Sequence, residues 1–372
     1  MFTVLLLCEY ATLNGGEQSM LATLDGVREA GVTPSVLGPP RGPLADALHA
    51  KNIELLPFPS HDATGKRLSQ QQHRDVLDRT LRDRRPDLLH ANSLAMGRLS
   101  GPVARALRLP SIAHLRDIIG ISRQATADLN CHTRLLAVSN ATRAYHVARG
   151  LAAEKTHVLH NGVDLARFRP RKPTGYLHRE LGLPPASLLI GTIGQIGLRK
   201  GQEVLATAAA SLARQLPSAH YLFVGERHSQ KEESRRFEAD LRAAACGPLT
   251  GKFHFLGFRP DVADILNELA LLVHPARQEP LGRVLLEAAA TGVAVIATDV
   301  GGTQEIFPPQ SESARLVAAD DAEALANAMI DLLQDEPSRN AMAKAARRRA
   351  EEAFDIRTAV AGLVRHYREA TE

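Results

Sequence analysis

Along the chain, short unbroken apolar runs alternate with longer stretches in which apolar residues recur every three to four positions. This is the pattern of strands alternating with helices on a parallel sheet. The short runs cover residues 2–8, 33–37, 53–57, 87–91, 111–114 and 134–138, and a second series covers 188–193, 220–224, 252–255, 270–274, 293–297 and 314–317. They are apolar throughout, as strands are when helices cover both faces of their sheet. Between the series lie Gly162, Pro170, Pro173, Gly175, Pro184 and Pro185, a concentration of chain breakers that places an inter-domain hinge near residues 165–185. Residues 60–85 are polar and rich in Gln and Arg, and open with His61, Asp62, Ala63, Thr64 and Gly65; they read as a loop leading into a solvent-facing amphipathic helix. Three helical patterns follow the last strand. The final one puts Ile356, Val360, Leu363, Val364 and Tyr367 on one face, a stripe that needs a partner surface.

Composition narrows this picture without changing it. A chain of 372 residues with 44% hydrophobic content can fill two or three domain cores, which excludes a disordered tail and a disulfide-stapled mini-protein. Basic residues exceed acidic ones by only 45 to 41, and with 4% aromatics and no Trp there is neither a basic domain nor a stacking platform for nucleic acid. Cys8, Cys131 and Cys246 are far apart and not at metal-ligand spacing, which suits a reducing, cytoplasmic setting. No apolar run approaches the roughly 18 residues of a membrane span. The run at 2–8 has no preceding Lys or Arg and meets Glu9 at once, so it reads as a buried strand and not a signal peptide.

Three places could carry chemistry. Asn14, Gly15, Gly16 and Glu17 follow the first strand and open a helix; glycines let a ligand approach the backbone, and free helix-start amides favour an anion, although an ordinary tight turn has the same sequence. The segment Gly194, Gln195, Ile196, Gly197, Leu198, Arg199, Lys200 and Gly201 follows the first strand of the second series, where one or two cations beside a helix start suit a diphosphate; a solvated turn is the competing reading. Glu279 and Glu287 flank a helix start after the strand at 270–274, about two turns apart, a spacing that chance alone supplies somewhere in the chain. No GxGxxG or Walker sequence accompanies these, which disfavours a dehydrogenase or P-loop enzyme.

The order of these pieces resembles the GT4 family of retaining glycosyltransferases. The resemblance rests on the run Val273, His274, Pro275, Glu279, Pro280, Leu281, Gly282, Leu286, Glu287, Ala288, Ala290, Gly292, Val295, Ile296, Ala297, Asp299, Gly301, Gly302 and Glu305. It is extended by Gly15 with Gly16, Val138 with Ser139, Asn161 to Asp164 with Phe168 and Pro170, and Lys200 with Gly201. It implies a GT-B fold: α/β, two Rossmann-like domains with parallel sheets facing across a cleft, the last helix crossing back to the first domain. The expected limits are 1–168 for the acceptor-side domain, 186–353 for the nucleotide-sugar donor domain and 354–372 for the returning helix.

Carried over by position, the resemblance makes Glu287 the ligand of the ribose hydroxyls, Glu279 the neighbour of the donor sugar, and Lys200 the cation on the leaving diphosphate. Gly15 and Gly16 would face the phosphates, Leu281, Gly282 and Arg283 the sugar and phosphate, and Phe258, between Gly257 and Arg259, the base. His114 matches a family histidine near the sugar; His90 matches another but reads first as structural. The family usually carries Arg or Lys where this chain has Gln195, so either Arg199 reaches inward or Lys200 does more of the stabilisation. The implied activity is retaining, metal-independent sugar transfer from a nucleotide-diphosphate donor to a glycan, lipid-linked or other hydroxyl acceptor, with no cofactor. Acceptor-side candidates are residues 60–85 and 116–130. Arg79, Arg82, Arg84 and Arg85 offer a peripheral contact with an anionic membrane surface, or simply a solvated helix face. The alternatives are a nucleotide-sugar binding protein with a degenerate site, and a nucleotide-sugar epimerase or phosphorylase on the same fold.

Overall fold

The structure, a computed structural model, describes residues 2–61, 64–245 and 249–372; Asp62, Ala63 and Cys246 lie outside the described residues. Contacts divide the chain into two units. One contains the residues up to Gly162 together with Ile356–Glu372, and the other is Val163–Asp355.

The first unit is built on a seven-stranded, all-parallel sheet of β1 (Phe2–Leu7), β2 (Val32–Gly38), β3 (Glu54–Pro57), β4 (Leu88–Ala91), β5 (Ser111–Leu115), β6 (Arg134–Ala137) and β7 (Thr156–Val158). Their order across the sheet is β3-β2-β1-β4-β5-β6-β7. β7 has no counterpart in the sequence reading, because three residues between turns are too short to register as an apolar run. The second unit holds six parallel strands, β8 (Leu188–Ile193), β9 (Ala219–Val224), β10 (Phe253–Gly257), β11 (Leu271–His274), β12 (Val295–Thr298) and β13 (Arg315–Val317), in the order β10-β9-β8-β11-β12-β13. Both are doubly wound sheets. The strand order reverses between β1 and β4 in one and between β8 and β11 in the other, and ligands of such sheets bind outside the carboxyl ends of the strands at those points.

The apolar stripe of the last helix, Ile356–Thr371, is absorbed by the first unit. Val360, Leu363, Val364 and Tyr367 are buried in one cluster with Val4, Leu6, Met20 and Leu24. The helix Gln70–Arg84 starts on a capping box, Ser69 with Gln72, and buries only Leu77 and Leu81.

The boundary falls ahead of the Pro/Gly-rich stretch, at Gly162 to Val163, and not within 165–185. The reason is that this stretch is tied to the second unit: Arg171 N donates to Asn267 Oδ1 at 2.6 Å, Thr174 N to Glu268 Oε1 at 2.6 Å, and the Tyr176 hydroxyl to Asp261 Oδ2 at 2.9 Å. Proline here shapes a strap along the second unit.

Candidate active site

In the second unit, β8 ends at Ile193 and the chain runs through Gln195 to a single turn of 3-10 helix, Leu198–Lys200. Gly201 then enters the next helix at φ +60°, with the carbonyl oxygen of Pro275 2.1 Å from where a Cβ would stand. Only glycine lets these two loops touch. Arg277, which the sequence reading passed over, completes the join: its N–H donates to Arg199 O at 2.9 Å, its Nη1 to Leu198 O at 2.6 Å and its Nε to Asp320 Oδ1 at 2.7 Å, and it pairs with Glu203.

This close join sets Lys200 on Glu279. Lys200 Nζ donates to Glu279 Oε2 at 2.5 Å, and His274 Nε2, at the end of β11, reaches the same oxygen at 2.7 Å. Glu279 is 6% exposed and His274 3%. Burial works to raise the carboxyl's pKa, but the Lys200 charge and the His274 hydrogen bond outweigh it and hold Glu279 well below the usual carboxylate range. Burial depresses His274, against the pull of Glu279, so the ring is neutral with its proton on Nε2. Glu279 is therefore a fixed anion at any working pH and not a proton shuttle.

Four residues on, the helix Arg283–Thr291 begins at Gly282. Its first amides have no partner within the helix. Arg283 Nε donates to Glu287 Oε1 at 2.7 Å, and among the described residues Oε2 of Glu287 has no protein partner. Leu281 is buried at 1% exposure, so only its backbone can meet a ligand. Gln195 lends its carbonyl to Gln202 Nε2 at 3.0 Å. Arg199 is exposed while Lys200 turns inward, so of the two cations it is Lys200 that reaches the carboxylate. Phe258 is 55% exposed, its N–H on Glu226 Oε1 at 3.2 Å, whereas Arg259 is spent on Glu180 and Asp261.

In the first unit, the helix Gly15–Glu29 starts at the carboxyl end of β1. A Cβ on Gly16 would stand 3.1 Å from Cδ of Arg116, while the space above Gly15 is open. Arg116 lies two residues beyond His114, on the same face at the end of β5, and holds Asn92 O at 3.0 Å, Asn92 Oδ1 at 2.9 Å, Asn161 Oδ1 at 3.1 Å and His114 Nδ1 at 3.2 Å. His114 is thus 4% exposed with one ring edge on Arg116 and on His90 Nε2 at 3.3 Å. His90 in turn meets the Tyr367 hydroxyl at 2.8 Å and has the structural place expected of it. Arg116, Asn92 and Asn161 escaped sequence reading as a set; the one signal was an arginine at i+2 from a strand-end histidine.

Among the described residues no group of three or more His, Cys, Asp and Glu side chains stands ready to hold a metal ion, and no helix is long and apolar enough to cross a membrane.

The two doubly wound units match solved GT-B glycosyltransferases in fold. Anabaena Alr3699/HepE, crystallised with UDP and glucose, superposes with a TM-score of 0.87 at 23% identity, covering 98% of this chain and 99% of that one. WaaG, a glycosyltransferase involved in lipopolysaccharide biosynthesis, gives 0.75 at 20% identity over 98% and 99%. The profile described as "Glycosyl transferases group 1" matches residues 176–349, and that described as "Glycosyltransferase Family 4" matches residues 13–167. The chain belongs to the GT4-type, group 1 glycosyltransferases. Curated relatives include the lipopolysaccharide core biosynthesis mannosyltransferase LpsB of Rhizobium meliloti (strain 1021), 33% identical over 55% of this chain and 56% of its own length. Another is the GDP-mannose-dependent monoacylated alpha-(1-6)-phosphatidylinositol monomannoside mannosyltransferase of Corynebacterium glutamicum, 34% identical over 52% and 51%. In these matches the chain spans about half the length of the relatives.

Proposed function

We propose that the protein is a retaining glycosyltransferase that moves a sugar from a nucleotide-diphosphate donor to a hydroxyl acceptor, a glycan or a lipid-linked saccharide, without a metal. The observation that carries this reading is the buried triplet of Lys200, Glu279 and His274 beside a helix start whose amides are free for an anion. Family membership supports the transferase class, and the printed activities of the relatives, sugar transfer to lipopolysaccharide core or to a phosphatidylinositol mannoside, support the acceptor class.

In this reading Glu287 accepts hydrogen bonds from the ribose hydroxyls through its open oxygen, held in place by Arg283. Glu279 accepts from a sugar hydroxyl, and its charge keeps Lys200 extended. As the bond from the anomeric carbon to the diphosphate oxygen breaks, negative charge grows on the diphosphate, where Lys200 and the amides of Gly282 and Arg283 stabilise it. The acceptor oxygen bonds to the anomeric carbon on the face the diphosphate leaves, and the acceptor proton passes to a diphosphate oxygen. A lysine supplies the charge that a divalent cation supplies elsewhere, at a place where Gln195 adds none. The exposed Arg79 adds to this reading a peripheral contact with a cytoplasmic membrane face, although Arg82 and Arg84 are already paired with Asp78 and Glu54.

The test is a thermal-shift and turnover screen against UDP-, GDP-, ADP- and dTDP-sugars with EDTA present, and an NMR assignment of the product's anomeric configuration. At least one nucleotide sugar is expected to raise the melting temperature. Glu279→Gln is expected to abolish turnover while free nucleotide still binds; loss of nucleotide binding in that variant would reverse the roles of the two glutamates.

A further inference from the structure

Arg116 is a half-buried cation whose hydrogen bonds all go to neutral acceptors. Its guanidinium has five N–H groups. Asn92 O takes that of Nε, Asn161 Oδ1 takes one from Nη1, and Asn92 Oδ1 and His114 Nδ1 take both from Nη2, so one Nη1 N–H is left over. No carboxylate pairs with Arg116 among the described residues. Glu17, buried at the start of the neighbouring helix, feels its charge without bonding to it, and burial pushes the Glu17 pKa up. Desolvation likewise pulls Arg116 down to about 10, against the opposing charge of Glu17.

The same arginine fixes the protons of the chain behind it. Arginine only donates, so His114 Nδ1 must accept and its proton sits on Nε2. His90 Nε2 lies 3.3 Å from that same Nδ1, and His90 Nδ1 is 2.8 Å from the Tyr367 hydroxyl. The outcome is a buried donor without an acceptor: His114 Nε2 has no hydrogen-bond partner although the residue is 4% exposed. His114 and Arg116 line one small cavity in the first unit, about 20 Å³, with Ser19 and Asn161 also on its wall. That is room for an oxygen-sized group and not for a sugar ring.

We propose that Arg116 and the Nε2–H of His114 form an oxyanion subsite in the first unit, taking one oxygen of a phosphate or carboxylate on the bound ligand. An orphaned donor and a cation with no bonded carboxylate on one cavity ask for an acceptor that is charged, and Gly16 is the residue whose missing side chain lets Arg116 reach this place. Joined to the transferase reading, on which the identity of the ligand rests, the subsite takes an anionic group of the acceptor.

The test is calorimetric titration at low salt of the full chain and of Arg116→Gln and Arg116→Lys, with three probes: inorganic phosphate, glycerol 3-phosphate and UDP. Far-UV circular dichroism and melting curves check that each variant folds. Phosphate and glycerol 3-phosphate are expected to bind the unaltered protein and to lose about tenfold or more in Arg116→Gln. Arg116→Lys keeps the charge without the fork, and is expected to lose affinity by at least about threefold with an unchanged melt; should the glutamine variant fail to fold, this variant decides. Unchanged UDP affinity in the variants supports an anion carried by the acceptor, and a parallel loss of UDP affinity overturns that assignment. If phosphate and glycerol 3-phosphate bind neither in the unaltered protein nor alongside UDP, or bind undiminished in Arg116→Lys, the subsite is overturned. The transferase reading fails separately: UDP not binding while phosphate does would sink the donor site and leave the oxyanion subsite standing.

Discussion

At the scale of single residues, the second unit's site is organised by one charge pair and not by a titrating group. Glu279 is held deprotonated, so its contribution to turnover should be flat with pH across the neutral range. Lys200→Met removes the cation bonded to it and leaves a buried carboxylate with a neutral histidine. Breaking a buried pair in this way typically costs about 3–5 kcal/mol. The double variant Lys200→Met with Glu279→Gln leaves no charge unpaired and should recover more than half of that loss. Urea unfolding of both, run as a double-mutant cycle, checks this; equal stability of the single and double variants would show that the pair is not coupled as the geometry requires. Neither variant should turn over substrate. The pair itself was not legible in the sequence. Lys200 and Glu279 are 79 residues apart, and only the adjacency of β8 and β11 brings them together. Each glutamate alone looked like chance, and the family resemblance was what singled them out.

At the scale of elements, a loop join does the positioning. The turn Leu198–Lys200 and the segment after β11 are held by Gly201 against Pro275 and by the four-way grip of Arg277. Gly201→Ala must place a Cβ at positive φ and 2.1 Å from a carbonyl oxygen, so the two loops have to separate. The expected loss of stability is at least about 2 kcal/mol, read from the urea midpoint, with a fall in turnover because Lys200 moves with its turn. A shift under about 0.5 kcal/mol would mean that the join is looser than its contacts indicate. Strand and helix placement was legible because a buried parallel strand is a continuous apolar run, whereas the strap at 165–185 was misread because proline marks a break in regular structure without saying which side the break packs on. Arg116 was opaque for a related reason. Its neighbours Gly16, Asn92 and Asn161 come from a helix start and two separate loops, and no local pattern announces a convergence of that kind.

At the scale of the molecule, acid sensitivity should originate in histidines held neutral by burial, His90, His114 and His132 in the first unit and His220 and His274 in the second. Burial lowers the pKa of His90 to about 3 and of His132 to about 4, and holds His114 well below its ordinary 6.5. In the unfolded chain these rings titrate near 6.5. Above that pH both states are neutral and nothing is lost. As pH falls below it the unfolded state takes up protons that the folded state refuses, so stability declines between about pH 6.5 and the folded values. Each such ring can contribute at most about 1.4 kcal/mol per pH unit in that window. Chemical denaturation from pH 7.5 to 4.5 should show the midpoint falling below about pH 6, and His132→Gln should shallow the fall; a pH-independent midpoint would contradict the buried neutral assignment. With two units, more than one transition is expected, and each needs its own fit.

The return of the last helix to the first unit has a consequence for biosynthesis. Val360, Leu363, Val364 and Tyr367 fill the cluster around β1 and the helix Gly15–Glu29, and burying such side chains is worth roughly 1.5–3 kcal/mol each. Taken together that approaches the whole net stability of an ordinary domain, about 5–15 kcal/mol. The residues up to Gly162, translated before Val163–Asp355, therefore lack one wall of their core until Ile356–Thr371 has been translated, while Val163–Asp355 has every residue it needs beforehand. The order of synthesis and the order of completion are opposite. The exposed groove left on the nascent first unit is the natural place for a chaperone to hold until Ile356–Thr371 has emerged.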